Sequence, residues 1–229
     1  MQDLSVLFLT LNRLPKDFTE FHYQTLTKAI GDTRLLAISR EPMPCDYLLD
    51  DKQPGYQNIY RQMLRGAKEL DTDYIAIAED DCLYPPDHFT IRGDGFVYNQ
   101  HRWALFTWDA RMYSWRNRFS NATLIAPRKL MIDALEERFA KWGDNWPPNL
   151  IGELGRKMVD KGLGVTHYPA DTKWSKNAVI QFNHIHAHEE RQRRKRKSFG
   201  NIRAIEIPYW GRSDELVKQY DSTINSNTK

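Results

Sequence analysis

Cysteine is nearly absent from this chain: Cys45 and Cys82 are the only two among 229 residues. Two thiols make no disulfide framework, and no C-x-x-C spacing suits zinc, so a reducing cytoplasm (the host's, if the chain is viral) is expected. Long apolar runs are also missing. The opening MQDLSVLFLTLNR holds only about seven apolar residues behind an acid, which fits neither a signal peptide nor a membrane span. No internal repeat is visible. Neither sign of charge prevails, with Lys+Arg 33 against Asp+Glu 30 and a net charge of +3. That balance alone points to no class of partner.

What is present supports a globular enzyme-sized domain. Hydrophobic residues at 41% and aromatics at 12% are enough for a sizeable core, which excludes wholesale disorder. Leu4 to Leu11 reads as a strand covered on both faces. Pro15 opens a helical pattern with Phe18, Phe21, Thr25, Leu26 and Ala29 on one face, stopped by Gly31. Arg34 to Ile38 is a second short strand, Tyr56 to Leu70 an amphipathic helix, and Tyr74 to Ala78 a third strand. This order predicts an α/β fold with a mostly parallel central sheet flanked by helices.

Beyond residue 88 the pattern changes to short aromatic strands: FVYN, WALFTW and MYSW. Ala122 to Ala126 reads as another strand, and Pro127 starts a helix to about Trp142. Pro147-Pro148 opens one more helix, with Leu150, Leu154 and Met158 along it. Val165 to Tyr168 and Val179 to Phe182 read as late strands. One domain over 1–211 is expected: a half with a nucleotide-binding α/β layout (1–88), an aromatic-rich half (89–182) and a closing segment (183–211). Residues 212–229 read as a polar tail.

The chemistry concentrates in YIAIAEDDCLYPPD, Tyr74 to Asp87. A buried strand ends there in three carboxylates, Glu79, Asp80 and Asp81. Ligands of open α/β sheets bind outside the carboxyl ends of strands. Clustered carboxylates suit hard divalent ions that hold substrate phosphates. Strand alternation sets Glu79 and Asp81 on one face and Asp80 on the other, unless the following turn rotates them together.

With these residues stand VLFLTLNR (Val6 to Arg13), NIYRQMLRGAKEL (Asn58 to Leu70) and GELGRKMVDKG (Gly152 to Gly162). In order and spacing the set resembles nucleotide-sugar-dependent glycosyltransferases of the GT-A fold, inverting family 2-like. The resemblance implies a nucleotide-diphospho-sugar donor and Mn²⁺ or Mg²⁺. It implies Asp81 as metal ligand, Asp80 at metal and ribose, and Thr10, Asn12 and Arg13 along the nucleotide. It implies Glu153, opening a helix, as the general base. Where such enzymes carry an acid after the second strand, this chain has Ser39-Arg40-Glu41, so Arg40 is expected at a phosphate. The second acid of the base motif is replaced by Leu154. A C-terminal His often completes the metal site in the family, which points to His184 or His186.

Each residue also has a plainer role. Glu153 in a first helical turn would complement the macrodipole, and Asp144 is a rival base. His184, His186 and His188 would share one strand face, where they suit zinc or plain solvent. Arg191 to Lys197, RQRRKRK, holds six basic residues in seven. It reads as a solvated run, a clamp on the diphosphate, or a grip on a polyanionic acceptor, with Arg193, Arg194, Lys195 and Arg196 at its centre. Trp108, Trp115 and Trp146 suit sugar faces, stacked bases or core. Glycosyltransferases that decorate hydroxymethylated pyrimidines in phage DNA would join these features.

The acceptor stays open between DNA and a glycan or small molecule. A sugar-phosphate nucleotidyltransferase would need a Gly-rich phosphate loop, and TLNRLPK, Thr10 to Lys16, has no glycine. A basic nucleic-acid-binding protein without catalysis would leave the carboxylates unexplained.

Overall fold

A computed structural model describes residues 3–14, 16–50, 55, 57–107, 111–115, 117–183, 200 and 202–225. The main sheet has seven strands in the order β10-β6-β9-β4-β1-β2-β3. These are β1 (Leu4–Leu9), β2 (Arg34–Ser39), β3 (Asp46–Leu49), β4 (Tyr74–Glu79), β6 (Phe96–Asn99), β9 (Leu124–Pro127) and β10 (Ala170–Lys173). Only β9 runs against its neighbours. The expected α/β architecture with a mostly parallel sheet is therefore found.

Alternation along the strands explains the layers. Leu7, Leu36 and Ile77 are in register and share a face, covered by helices α2 (Asn58–Glu69) and α3 (Arg128–Trp142). Val6, Phe8 and Ala78 point the other way, under Leu26 and Ile30 of α1 (Lys16–Ile30). Helix α2 lies so close to β1 that a Cβ on Gly66 would come within 2.3 Å of Leu7. Glycine is thus required there by packing rather than by backbone angle.

A second sheet follows the order β12-β8-β7-β11-β5. It comprises β5 (Cys82–Leu83), β7 (Arg102–Phe106), β8 (Tyr113–Trp115), β11 (Val179–Asn183) and β12 (Ile202–Ala204). Leu83, Ile180, Trp103 and Trp115 lie in one register row, on the face that packs against α1 and the C-terminal helix. Arg102, Ala104 and Gln181 occupy the opposite face.

Four expectations need correction. The helix expected from Pro147 onward is broken. A short 3-10 turn, Pro148–Leu150, is followed by irregular chain before α4 (Lys157–Leu163). Gly155 sits at φ +77, and a Cβ there would come within 2.9 Å of the Tyr168 carbonyl and the Ala170 nitrogen. The expected strand at Val165 to Tyr168 begins only at Ala170, after Pro169, which has no N–H for a ladder. The strand expected from Ala122 begins at Leu124, behind a 3-10 turn at Asn121–Thr123. The expected polar tail contains a short hairpin strand β14 (Gly211–Arg212), paired with β13 (Glu206–Ile207), and helix α5 (Ser213–Asn225). Leu216, Val217 and Tyr220 of α5 are buried against Phe18 of α1 and Phe182 of β11. Among the described residues no helix is long and apolar enough to cross a membrane.

Candidate functional site

The chain crosses from β1 outward to β2 and β3, then returns through α2 to β4 on the other side of β1. Strand order thus reverses between β1 and β4, where open sheets leave a crevice at their carboxyl ends. A cleft of about 240 Å³ lies at that point. Thr10, Arg13, Asn58, Gln62, Glu79, Asp80 and Asp81 line it.

The cleft is held together by a hydrogen-bonded chain across three strand ends. The Thr10 hydroxyl donates to Asp80 Oδ2 at 2.5 Å and accepts from the Asn12 N–H at 2.9 Å. Asn12 stands at φ 53, a left-handed conformation that asparagine tolerates. Its Oδ1 accepts from the Ser39 hydroxyl at 2.9 Å and from the Arg40 N–H at 2.8 Å. The loops after β1 and β2 are therefore fixed relative to the acid that follows β4.

Asp81 is anchored from the other sheet. Gln181 Nε2 donates to its Oδ2 at 3.3 Å, and the Cys82 thiol donates to its Oδ1 at 3.1 Å. Arg102 in turn donates to Gln181 Oε1 at 2.5 Å, placing a buried cation behind the cluster.

The three acids are electrostatically strained against one another. Burial, then the charges of Asp81 and Asp80, push Glu79 up to about 8. Burial and the charge of Asp81 push Asp80 up to about 7, opposed by the Thr10 hydrogen bond and by Arg13. A divalent cation would relieve both effects, so the donor set fits one. Among the described residues no group of three His, Cys, Asp or Glu side chains converges as a complete metal cage. Asp80 and Asp81 therefore suit an ion that takes its other ligands from phosphates and water, as Mg²⁺ characteristically does.

Glu153 is in irregular chain rather than in a first helical turn, so it has no macrodipole role. Its backbone is pinned on both sides. Arg138 donates to the Gly152 carbonyl at 3.1 Å, and the Tyr98 hydroxyl donates to the Leu154 carbonyl at 2.9 Å. Its carboxylate is 16% exposed and pairs with Arg156 at 2.9 Å. Its charge is felt at Glu79, Tyr60 and Tyr98. Asp144, the rival base, is 70% exposed and pairs with Arg61. Neither Glu153 nor Asp144 is among the described residues that line the cleft.

The aromatic expectations divide. Trp146 is buried, with Tyr60 5.2 Å and Phe139 5.0 Å away between ring centroids. It forms core rather than an acceptor wall, because its faces are already covered. Trp115 is partly exposed, but its register puts it on the face opposite Gln181 and hence away from Asp81. Trp108, His184, His186, Arg193, Arg194, Lys195 and Arg196 lie outside the described residues.

Asp50 was not singled out from the sequence. It follows β3 and accepts from Asn58 Nδ2 and Gln62 Nε2, each at 3.0 Å, which orients two residues of the cleft wall. The signal was present: Tyr47-Leu48-Leu49 ends in two acids, the same pattern that marks β4.

No protein-family model matches the chain, and no curated protein matches it. Several solved structures are similar. One is a mannosyltransferase from Pyrobaculum calidifontis in complex with GDP-Man and Mn²⁺, at 11% identity over 79% of this chain and 56% of that one, TM-score 0.42. Another is an apo-form glycosyltransferase of Streptococcus pneumoniae TIGR4, at 13% identity over 73% of this chain and 44% of that one, TM-score 0.41. A third is a glycosyltransferase involved in the glycosylation of the major capsid of PBCV-1, at 7% identity over 78% of this chain and 92% of that one, TM-score 0.45. The chain spans about half the length of the first two. Likenesses this distant assign it no activity.

Proposed function

We propose that the chain is a glycosyltransferase that moves a sugar from a nucleotide-diphospho-sugar to an acceptor hydroxyl, with Mn²⁺ or Mg²⁺. The observation that carries this reading is the Thr10–Asp80 bond at the strand-order switch. It aims one carboxylate and a polar loop into the same cleft that Asp81 enters from the other side. Paired acids at the carboxyl end of a parallel sheet suit a hard divalent ion that holds a diphosphate.

In this reading Thr10, Asn12, Arg13 and Arg40 hold the nucleotide, with Asp50 orienting Asn58 and Gln62 beside it. Asp80 and Asp81 would hold the cation, which would supply positive charge to the diphosphate. Glu153 takes the acceptor's proton as its oxygen forms a bond to the anomeric carbon. The bond from that carbon to the diphosphate oxygen breaks, and its electron pair departs on the diphosphate. Arg13 adds positive charge on the side where negative charge grows. A hydroxymethylated pyrimidine in DNA is the acceptor class that joins the basic run to this chemistry.

The test is incubation with a panel of UDP- and GDP-sugars and Mn²⁺. Slow release of free sugar is expected from at least one donor, and its loss in Asp81→Ala. No binding of any donor in the presence of the metal would overturn the reading.

A further inference from the structure

At the far end of the main sheet one large ring stands in solvent on a rigid base. Trp174 directly follows β10 and is 58% exposed. Its ring lies 5.2 Å from His101 and 5.6 Å from Trp115 between centroids, inclined by 32° and 35°. Trp174 thus packs against both other rings, and it is the most exposed member of this aromatic platform.

The base of that platform is densely bonded. Asn99 donates to the Ser175 hydroxyl at 2.7 Å, and its Oδ1 accepts from the His101 N–H at 2.9 Å. The Ser175 hydroxyl donates to the Asn177 carbonyl at 2.5 Å, and both carboxylate oxygens of Asp87 accept from Asn177 at 2.8 Å. The Trp115 indole N–H donates to the Gln100 carbonyl at 2.8 Å, and His101 Nδ1 lies 2.9 Å from the Ser175 carbonyl. Ring positions are thus fixed in advance, which lowers the ordering cost of any ligand that stacks on them.

This arrangement selects among ligands. A sugar ring needs polar side chains aimed at its hydroxyls, but Asn99, Asn177 and Asp87 are turned inward and used beneath the rings. What faces solvent is π surface with the exposed Lys176 two positions from Trp174; Lys173 is exposed too, but its ammonium donates to the Arg92 carbonyl at 2.7 Å. Aromatic faces with interleaved cations suit bases on a charged backbone, and every base has a face to stack.

We propose that the Trp174–His101–Trp115 platform is a stacking site for single-stranded nucleic acid. β10 runs parallel to β6, which is parallel to β4 through β9, so Trp174 leaves the same carboxyl edge of the sheet as Asp80. Three strand spacings of about 4.8 Å separate them, roughly 14 Å, a few nucleotides of extended strand. Binding at the platform stands by itself; its service as the acceptor's foothold rests on the transferase reading.

The experiment uses the full chain and a fluorescein-labelled twelve-base oligothymidylate, followed by anisotropy at low and moderate salt. Trp174→Ala is expected to weaken binding about tenfold, the scale of one lost base stack. Trp174→Phe should retain most of the affinity, and Lys176→Gln should weaken it while flattening the salt dependence. Donor hydrolysis should be unchanged in all three. Equal affinity in Trp174→Ala and wild type would overturn the proposal, since binding would then reside elsewhere. So would absent oligonucleotide binding, or tryptophan quenching by a hexasaccharide alone. A wild-type chain that binds the oligonucleotide but turns over no donor would sink the transferase reading and leave the platform standing.

Discussion

Thr10 and Asp80 are 70 positions apart and are joined by a 2.5 Å hydrogen bond between the ends of two adjacent parallel strands. The same hydroxyl accepts from the Asn12 N–H, so one side chain fixes both an acid and the left-handed turn beside it. Thr10→Val keeps the shape and removes both bonds. Hydrogen bonds to charged groups contribute about 1.5–3 kcal/mol. Metal-dependent donor hydrolysis is therefore expected to fall about tenfold or more, with Thr10→Ser close to wild type. Equal turnover in Thr10→Val would show that the bond has no part in the chemistry.

The strained acids predict a pH signature in stability. An acid whose pKa is raised in the folded state stabilises the fold while protonated. That contribution is complete near and below its unfolded value and is lost as pH rises through the folded one. For Glu79 and Asp80 the loss falls as pH climbs from about 4 through 7 and 8. Without metal, Glu79→Gln should therefore gain melting temperature relative to wild type between pH 6 and pH 9. Saturating Mn²⁺ should shrink that difference. A gap that stays constant with pH would mean Glu79 is not desolvated by the fold.

How far the sequence discloses such features depends on burial. β1 and β4 are covered on both faces, so they appear as unbroken apolar runs, and the acids beyond β4 stand out sharply. β10 is mostly exposed, with the sequence ADTK, and has no apolar period to read. Helix α5 did carry a signal, since Leu216, Val217 and Tyr220 are spaced for one helical face. Its polar surroundings outweighed those three residues. The break at Gly155 is invisible locally because its cause is the approach of Tyr168 and Ala170 from a later strand. Trp174 gave no warning for the same reason: its setting is made by residues from 87 to 177, which only the fold brings together.

A buried ion pair supports the strand of chain that presents Glu153. Arg138 and Asp160 side chains are 1% and 3% exposed and meet at 2.6 Å, with His167 2.9 Å from the other Asp160 oxygen. Arg138 also donates to the Gly152 carbonyl. Arg138→Met removes the cation and leaves a buried carboxylate, which costs about 3–5 kcal/mol. Replacing both partners, Arg138→Met with Asp160→Leu, should recover much of that loss. Urea denaturation of the three variants checks the order. A double variant as unstable as Arg138→Met would locate the loss at the Gly152 contact instead.

Glu153 itself separates the catalytic role from the structural one. The backbone on either side of it is held by Arg138 and Tyr98, and among the described residues its side chain hydrogen-bonds Arg156. Glu153→Gln should therefore leave folding intact, with a change in stability of at most about 1 kcal/mol, since its Arg156 partner is exposed. Positioned bases contribute about 10²–10⁴-fold to rate. Sugar transfer to an acceptor hydroxyl is expected to fall by that factor, while donor affinity with Mn²⁺, read by calorimetry, stays within about twofold. Transfer that persists at the wild-type rate would remove Glu153 from the reaction.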